Sequence, residues 1–123
     1  MKRKFLSALS CVVFLGTQAF AAPPGAKPLK LEHMDYFHAR KIILGYGWKP
    51  LGGPCLQVSA DTCAHFPEID SCSGVEAAPC GMVFVKQDRC LYVGTSGGEP
   101  VGDAEGDTHV ESVTFRPGPC SKN

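Results

Sequence analysis

Apolar residues first gather in residues 5–16, a run without charge that follows Lys2, Arg3 and Lys4. Ala19, Phe20 and Ala21 come next and put small residues at the two positions a signal peptidase reads. A basic start, a short apolar core and an A-x-A end make residues 1–21 a secretory signal peptide. The run is shorter than the roughly 20 residues a bilayer span takes. Cys11 lies inside it, but Ala8 stands where a lipoprotein signal carries leucine. Cys11 therefore belongs to the signal core, and no stable membrane anchoring is expected. Residues 22–32 contain Pro23, Pro24 and Pro28 and read as a flexible leader, because proline fixes φ and removes a backbone donor.

The next apolar pattern is helical. Within residues 34–44, Tyr36, Ala39 and Ile43 fall at i, i+3 and i+7, and Ile42 widens the stripe. Asp35 suits the N-cap, and Arg40 and Lys41 sit late, toward the negative end of the helix dipole. Gly45 and Gly47 stop the helix.

Beyond Gly47 the pattern shortens to strands. Residues 47–51 predict a short strand that Pro50 confines to an edge or a bulge, with Trp48 packing on the helix. Residues 52–79 are broken by Gly52, Gly53, Pro54, Pro67, Gly74 and Pro79 and read as a loop. Met82, Val83, Phe84 and Val85 mark a strand over 81–86. Gln87, Asp88 and Arg89 turn the chain, and Leu91, Tyr92 and Val93 carry it back over 90–95. A glycine- and acid-rich loop over 96–107 leads to a last strand over 109–116. The expected fold is α+β: one amphipathic helix packed on a small antiparallel sheet of three to four strands, with residues 33–123 as one domain.

The cysteines add what a small core lacks. Beyond the signal there are six: Cys55, Cys63, Cys72, Cys80, Cys90 and Cys120. An even set in a short exported chain is a disulfide framework, and no C-x-x-C pair offers a zinc knuckle. Closeness in sequence pairs Cys55 with Cys63 and Cys72 with Cys80. An antiparallel return of the last strand brings Cys120 to Cys90. Without its first 21 residues the chain keeps all 12 acidic residues and loses three of its 12 basic ones. The remaining basic residues are scattered rather than clustered, which argues against nucleic acid as a partner.

Candidate chemistry is sparse. Gly94-Thr95-Ser96-Gly97-Gly98 matches G-x-S-x-G, but a nucleophile elbow needs a helix after the serine, and Glu99-Pro100 opens none. Asp103, Glu105, Asp107 and Glu111 could be read as calcium ligands, yet Thr108 and Thr114 stand where an EF-hand needs glycine and glutamate. His33 and His38 are five apart, so a helix turns them about 140° from one another. No cofactor, metal or catalytic residue is expected.

Ala39-Arg40, Gly47-Trp48-Lys49-Pro50, Phe66-Pro67-Glu68, Cys72-Ser73-Gly74 and Cys80 resemble a loose group of small exported Gram-negative proteins of unknown function. The resemblance covers residues 34–95 and implies a helix, a Gly-Trp-x-Pro turn, a cysteine pair and a hairpin; it carries over no catalytic residue. The order of elements is also similar to PASTA modules and to repeats of β-lactamase-inhibitor-like proteins, in topology alone.

These readings point to an exported, periplasmic or secreted, non-enzymatic binding or structural module of the bacterial envelope. Its partner would be another envelope or secreted protein, met through two loops. One holds His65, Phe66, Glu68 and Ile69; the other holds Ser96, Glu99, Asp103, Glu105 and Asp107. The alternatives are a secreted inhibitor or effector acting on another protein and, more remotely, a small serine hydrolase using Ser96.

Overall fold

A computed structural model of the chain describes residues 29–74, 78–102 and 104–120. Residues 1–21, read from the sequence as a signal peptide, residues 22–28 and Asp103 lie outside the described residues. In order, the elements are α1 (Tyr36–Gly45), β1 (Lys49–Pro50), α2 (Ala60–His65), β2 (Ile69–Cys72), β3 (Cys80–Lys86), β4 (Arg89–Ser96) and β5 (His109–Pro117).

Helix α1 starts where Asp35 accepts a hydrogen bond from the Phe37 N–H at 2.9 Å. It ends in a Schellman turn. The Trp48 N–H reaches the Ile43 carbonyl and the Gly47 N–H reaches the Leu44 carbonyl, with Gly47 at φ 86°. Gly47, not Gly45, is thus the glycine the turn requires. The stripe read from the sequence is the buried one: Tyr36, Ala39 and Ile43 face the sheet.

The sheet is antiparallel and β3 is its hub. Strand β4 pairs with β3 along its whole length, from Cys80 opposite Thr95 to Lys86 opposite Arg89. The other edge of β3 is shared. Strand β2 takes the Cys80–Met82 half and β1 takes Phe84 and Val85. Between them the Val83 N–H bonds the Glu68 carbonyl and the Leu51 N–H bonds the Val83 carbonyl. The sheet therefore holds five strands in four lanes, and Pro50 sits at its edge. Strand β5 closes the far side against β4, with one bulge between Gly94 and Thr95.

Period two decides which residues become core. Met82, Phe84, Leu91 and Val93 point to the α1 side and are fully buried, as are Ile69 and Val110, and Trp48 and Phe66 are nearly so. Each large apolar side chain so buried contributes roughly 1.5–3 kcal/mol. The opposite face is thinner: Cys90 is covered by its bridge to Cys120, and the Arg116 guanidinium lies 5.2 Å from the centre of the Tyr92 ring.

Three disulfides join Cys55 to Cys63, Cys72 to Cys80 and Cys90 to Cys120. Cys72 and Cys80 stand directly opposite each other on β2 and β3. The third bridge returns the chain after β5 across the sheet, as the hairpin geometry predicts.

Two stretches differ from the sequence pattern. Leu29 and Leu31 fall in the proline-rich leader but are buried in the core, 9% and 1% exposed. The packed chain therefore reaches back at least to Leu29. Residues 52–79 are not structureless either. Ser59 caps α2 by accepting from the Thr62 N–H, and β2 forms on the edge of β3. Asp70 and Ser71 are poor strand formers. What makes β2 a strand is the open edge beside it and the bridge at Cys72.

Candidate functional site

The second face of α1 carries the chemistry. Phe37 lies off the buried stripe, and Arg40 and Lys41 follow it at i+3 and i+4, so the three meet on one side of the helix. The Lys41 ammonium sits 4.1 Å from the centre of the Phe37 ring and the Arg40 guanidinium 5.3 Å from that of Phe66. With Gly102 these residues line an open concavity of about 250 Å³. A narrower cleft adjoins it, lined by Asp35, Tyr36, Pro100 and Val101 among others. Val101 is 81% exposed at the rim, the most exposed of the large apolar residues among those described.

The floor is a buried charge pair. Glu68 is fully buried; it accepts from the Tyr36 hydroxyl at 2.8 Å and from Arg40 Nε at 2.5 Å and Nη2 at 3.3 Å. The pair ties the approach to β2 onto α1 and fixes the guanidinium over Phe66. Burial, then the Glu68 carboxylate beside it, pushes the Tyr36 hydroxyl well above its ordinary value of 10.0. The sign of the linkage follows: folding holds Tyr36 protonated. Its contribution is full below about pH 10 and is lost as pH climbs from there toward the folded value. Urea midpoints measured from pH 8 to 11 should fall above pH 10 with a slope of up to about 1.4 kcal/mol per pH unit from this residue. Tyr36→Phe should remove that part of the slope. An unchanged slope in the variant would show that other groups carry the alkaline transition.

The wall opposite α1 is made by residues 97–102 and 104–108, which are tied at several points. The Gly106 N–H bonds Asp35 Oδ2 at 3.0 Å, His38 Nε2 lies 3.3 Å from Glu105 Oε1, and the Thr108 hydroxyl bonds the Gly98 carbonyl at 3.1 Å. Gly97, at φ 90°, lies so close to the Asp107 carbonyl that a Cβ there would overlap it. A loop that reads as a free tip is thus a fixed wall.

The expected loop residues separate under this geometry. Phe66 lines the concavity, and His65 packs on it with ring centroids 5.3 Å apart. Glu68 and Ile69 are fully buried, so neither offers surface: Glu68 serves the floor and Ile69 the core. Glu99 is half-buried in the wall; Glu105 and Asp107 are exposed on it. Ser96 ends β4, where its hydroxyl donates to Glu111 Oε1 at 2.5 Å. His109 stands opposite Ser96, but its Nδ1 faces the Asp107 carbonyl at 2.6 Å. The serine thus meets an acid directly instead of through an imidazole. Among the described residues no His, Cys, Asp and Glu cluster could hold a metal ion. No helix among them is long and apolar enough to cross a membrane. Phe37, Arg40, Lys41, Val101 and Gly102 escaped the sequence reading. The signal was there in Phe37, an aromatic off the apolar stripe with two cations one turn on.

Comparison of the chain with protein-family models, with curated proteins and with solved structures finds no match.

Proposed function

We propose that this protein is an exported binding module whose site is the concavity between α1 and the wall opposite it. It takes an extended segment of another exported protein that sets an apolar or aromatic side chain beside a carboxylate. One observation carries the reading: the aromatic walls Phe37 and Phe66 each bear a cation, under an apolar rim at Val101. The two aromatic residues suit an apolar side chain, and the exposed Lys41 ammonium beside them suits a carboxylate. Three disulfides suit an oxidising compartment, in line with a basic, apolar, A-x-A leader.

A photoreactive side chain at Val101, expressed in the native cell, tests this. A crosslinked adduct is expected in the periplasmic or secreted fraction, and it should vanish when Lys41→Glu is added. The same probe at Gln57, which is exposed and lines neither the concavity nor the adjoining cleft, should give none. Equal adducts at both positions, or none at 101, would sink the proposal.

A further inference from the structure

Strand β5 is paired on one side only. Its outer edge is covered at the start by the chain itself. The His33 N–H bonds the Val110 carbonyl, the Val110 N–H bonds the Met34 carbonyl, and the Tyr36 N–H bonds the Thr108 carbonyl. Past Val110 that cover ends. Among the described residues no backbone hydrogen bond reaches the outer edge over 111–117, and all of these residues except half-buried Val113 are exposed. Such an edge is a template for another strand. The devices that blunt edges are weak here. Arg116 is drawn back over Tyr92 on its own sheet, and Pro117 stands at the end of the free stretch.

We infer that the free edge of β5 is a homodimer interface, in which two copies join antiparallel through residues 111–117 into one continuous sheet. A two-fold pairing that uses the whole free stretch is centred on its midpoint, which sets Thr114 opposite Thr114 of the second copy. The chemistry of the other rows agrees. On the α1 side Val113 meets Phe115 of the second copy, and the reverse; Phe115 is 41% exposed in the single chain and leans on Trp48 with ring centroids 5.8 Å apart. On the opposite face Ser112 meets Arg116. Glu111, at the bulge, falls opposite Pro117 and keeps its carboxylate on the Ser96 hydroxyl of its own chain. Centring on Val113 instead would place Glu111 against Phe115 and demand the edge of Val110, which is already taken.

Sedimentation equilibrium on the oxidised protein tests the inference. A mass twice that of one chain is expected at tens of micromolar. Thr114→Lys faces two ammonium groups across the two-fold; it should return the mass to that of one chain while the thermal melt, read at micromolar dilution, stays put. Register is read separately by single cysteines. Thr114→Cys should form an interchain bridge at least ten times faster than Val113→Cys, located by peptide mapping without reduction. A single-chain mass throughout the concentration range overturns the inference. So does a dimer indifferent to Thr114→Lys, or faster bridging at 113.

Discussion

Glu68→Ala is expected to lower the unfolding free energy by about 3 kcal/mol, at the low end of the roughly 3–5 kcal/mol lost when one partner of a buried ion pair is removed. The carboxylate is fully buried and holds three hydrogen bonds, two of them from Arg40. Its loss leaves the Tyr36 hydroxyl buried without this acceptor and withdraws the countercharge from Arg40. The guanidinium side chain is still 24% exposed, so water can take up part of its charge, which is why the low end applies. Glu68→Gln keeps the acceptor for Tyr36 and removes the charge, and should cost about half as much. Urea denaturation measures both. A double-mutant cycle with Arg40→Ala should return a coupling of at least about 1 kcal/mol between the two positions. A cost below about 1 kcal/mol for Glu68→Ala would mean that hydration replaces the pair and that the floor of the concavity is not rigid. The same variant should loosen the guanidinium over Phe66, so that binding weakens along with stability.

The sequence made the helix and the hairpin legible because their patterns are local. Tyr36, Ala39 and Ile43 repeat at helical spacing, and short apolar runs, Met82 to Val85 and Leu91 to Val93, flank the turn at Gln87. The disulfide pairs follow from the same local geometry. What stayed hidden depends on neighbours that the sequence does not place side by side. Strand β2 has weak strand formers and exists because β3 offers an edge. Leu29 and Leu31 look like part of a leader until the core is seen to have room for them. Glu68 reads as a charged loop residue, since nothing in Phe66-Pro67-Glu68 announces that Tyr36 and Arg40 wait for it some 30 residues earlier. The site was missed for the same reason. Its cations are explained locally by the helix dipole, and only the position of the wall opposite α1 turns them toward a cavity.

Removing the Cys90–Cys120 bridge should cost more than removing either of the others. Chain entropy scales with the loop closed, and the sequence separations are 30 against 8 and 8. The expected losses are roughly 3.5 kcal/mol for Cys90→Ala with Cys120→Ala and roughly 2.5 kcal/mol for each short bridge. Packing widens the gap. This holds against Cys55–Cys63, whose cysteines are only half-buried while Cys90 is fully buried on β4, and less against Cys72–Cys80, which is buried too. Location also decides which part of the molecule feels the loss. The long bridge ties the segment after β5 across the sheet, so losing it acts on global unfolding and on the end of β5. The Cys55–Cys63 bridge secures α2, whose residues contribute nothing fully buried. Its loss should open α2 locally: amide exchange over 60–65 accelerates by at least tenfold while the exchange of Met82, Phe84 and Leu91 slows or quickens only with the global change. Urea midpoints of the three double variants, read beside amide exchange, separate these effects. If Cys55→Ala with Cys63→Ala proved as damaging to the β3 and β4 amides as the loss of Cys90–Cys120, the short loop would have to be part of the cooperative core, and α2 could not be the separable unit its burial describes.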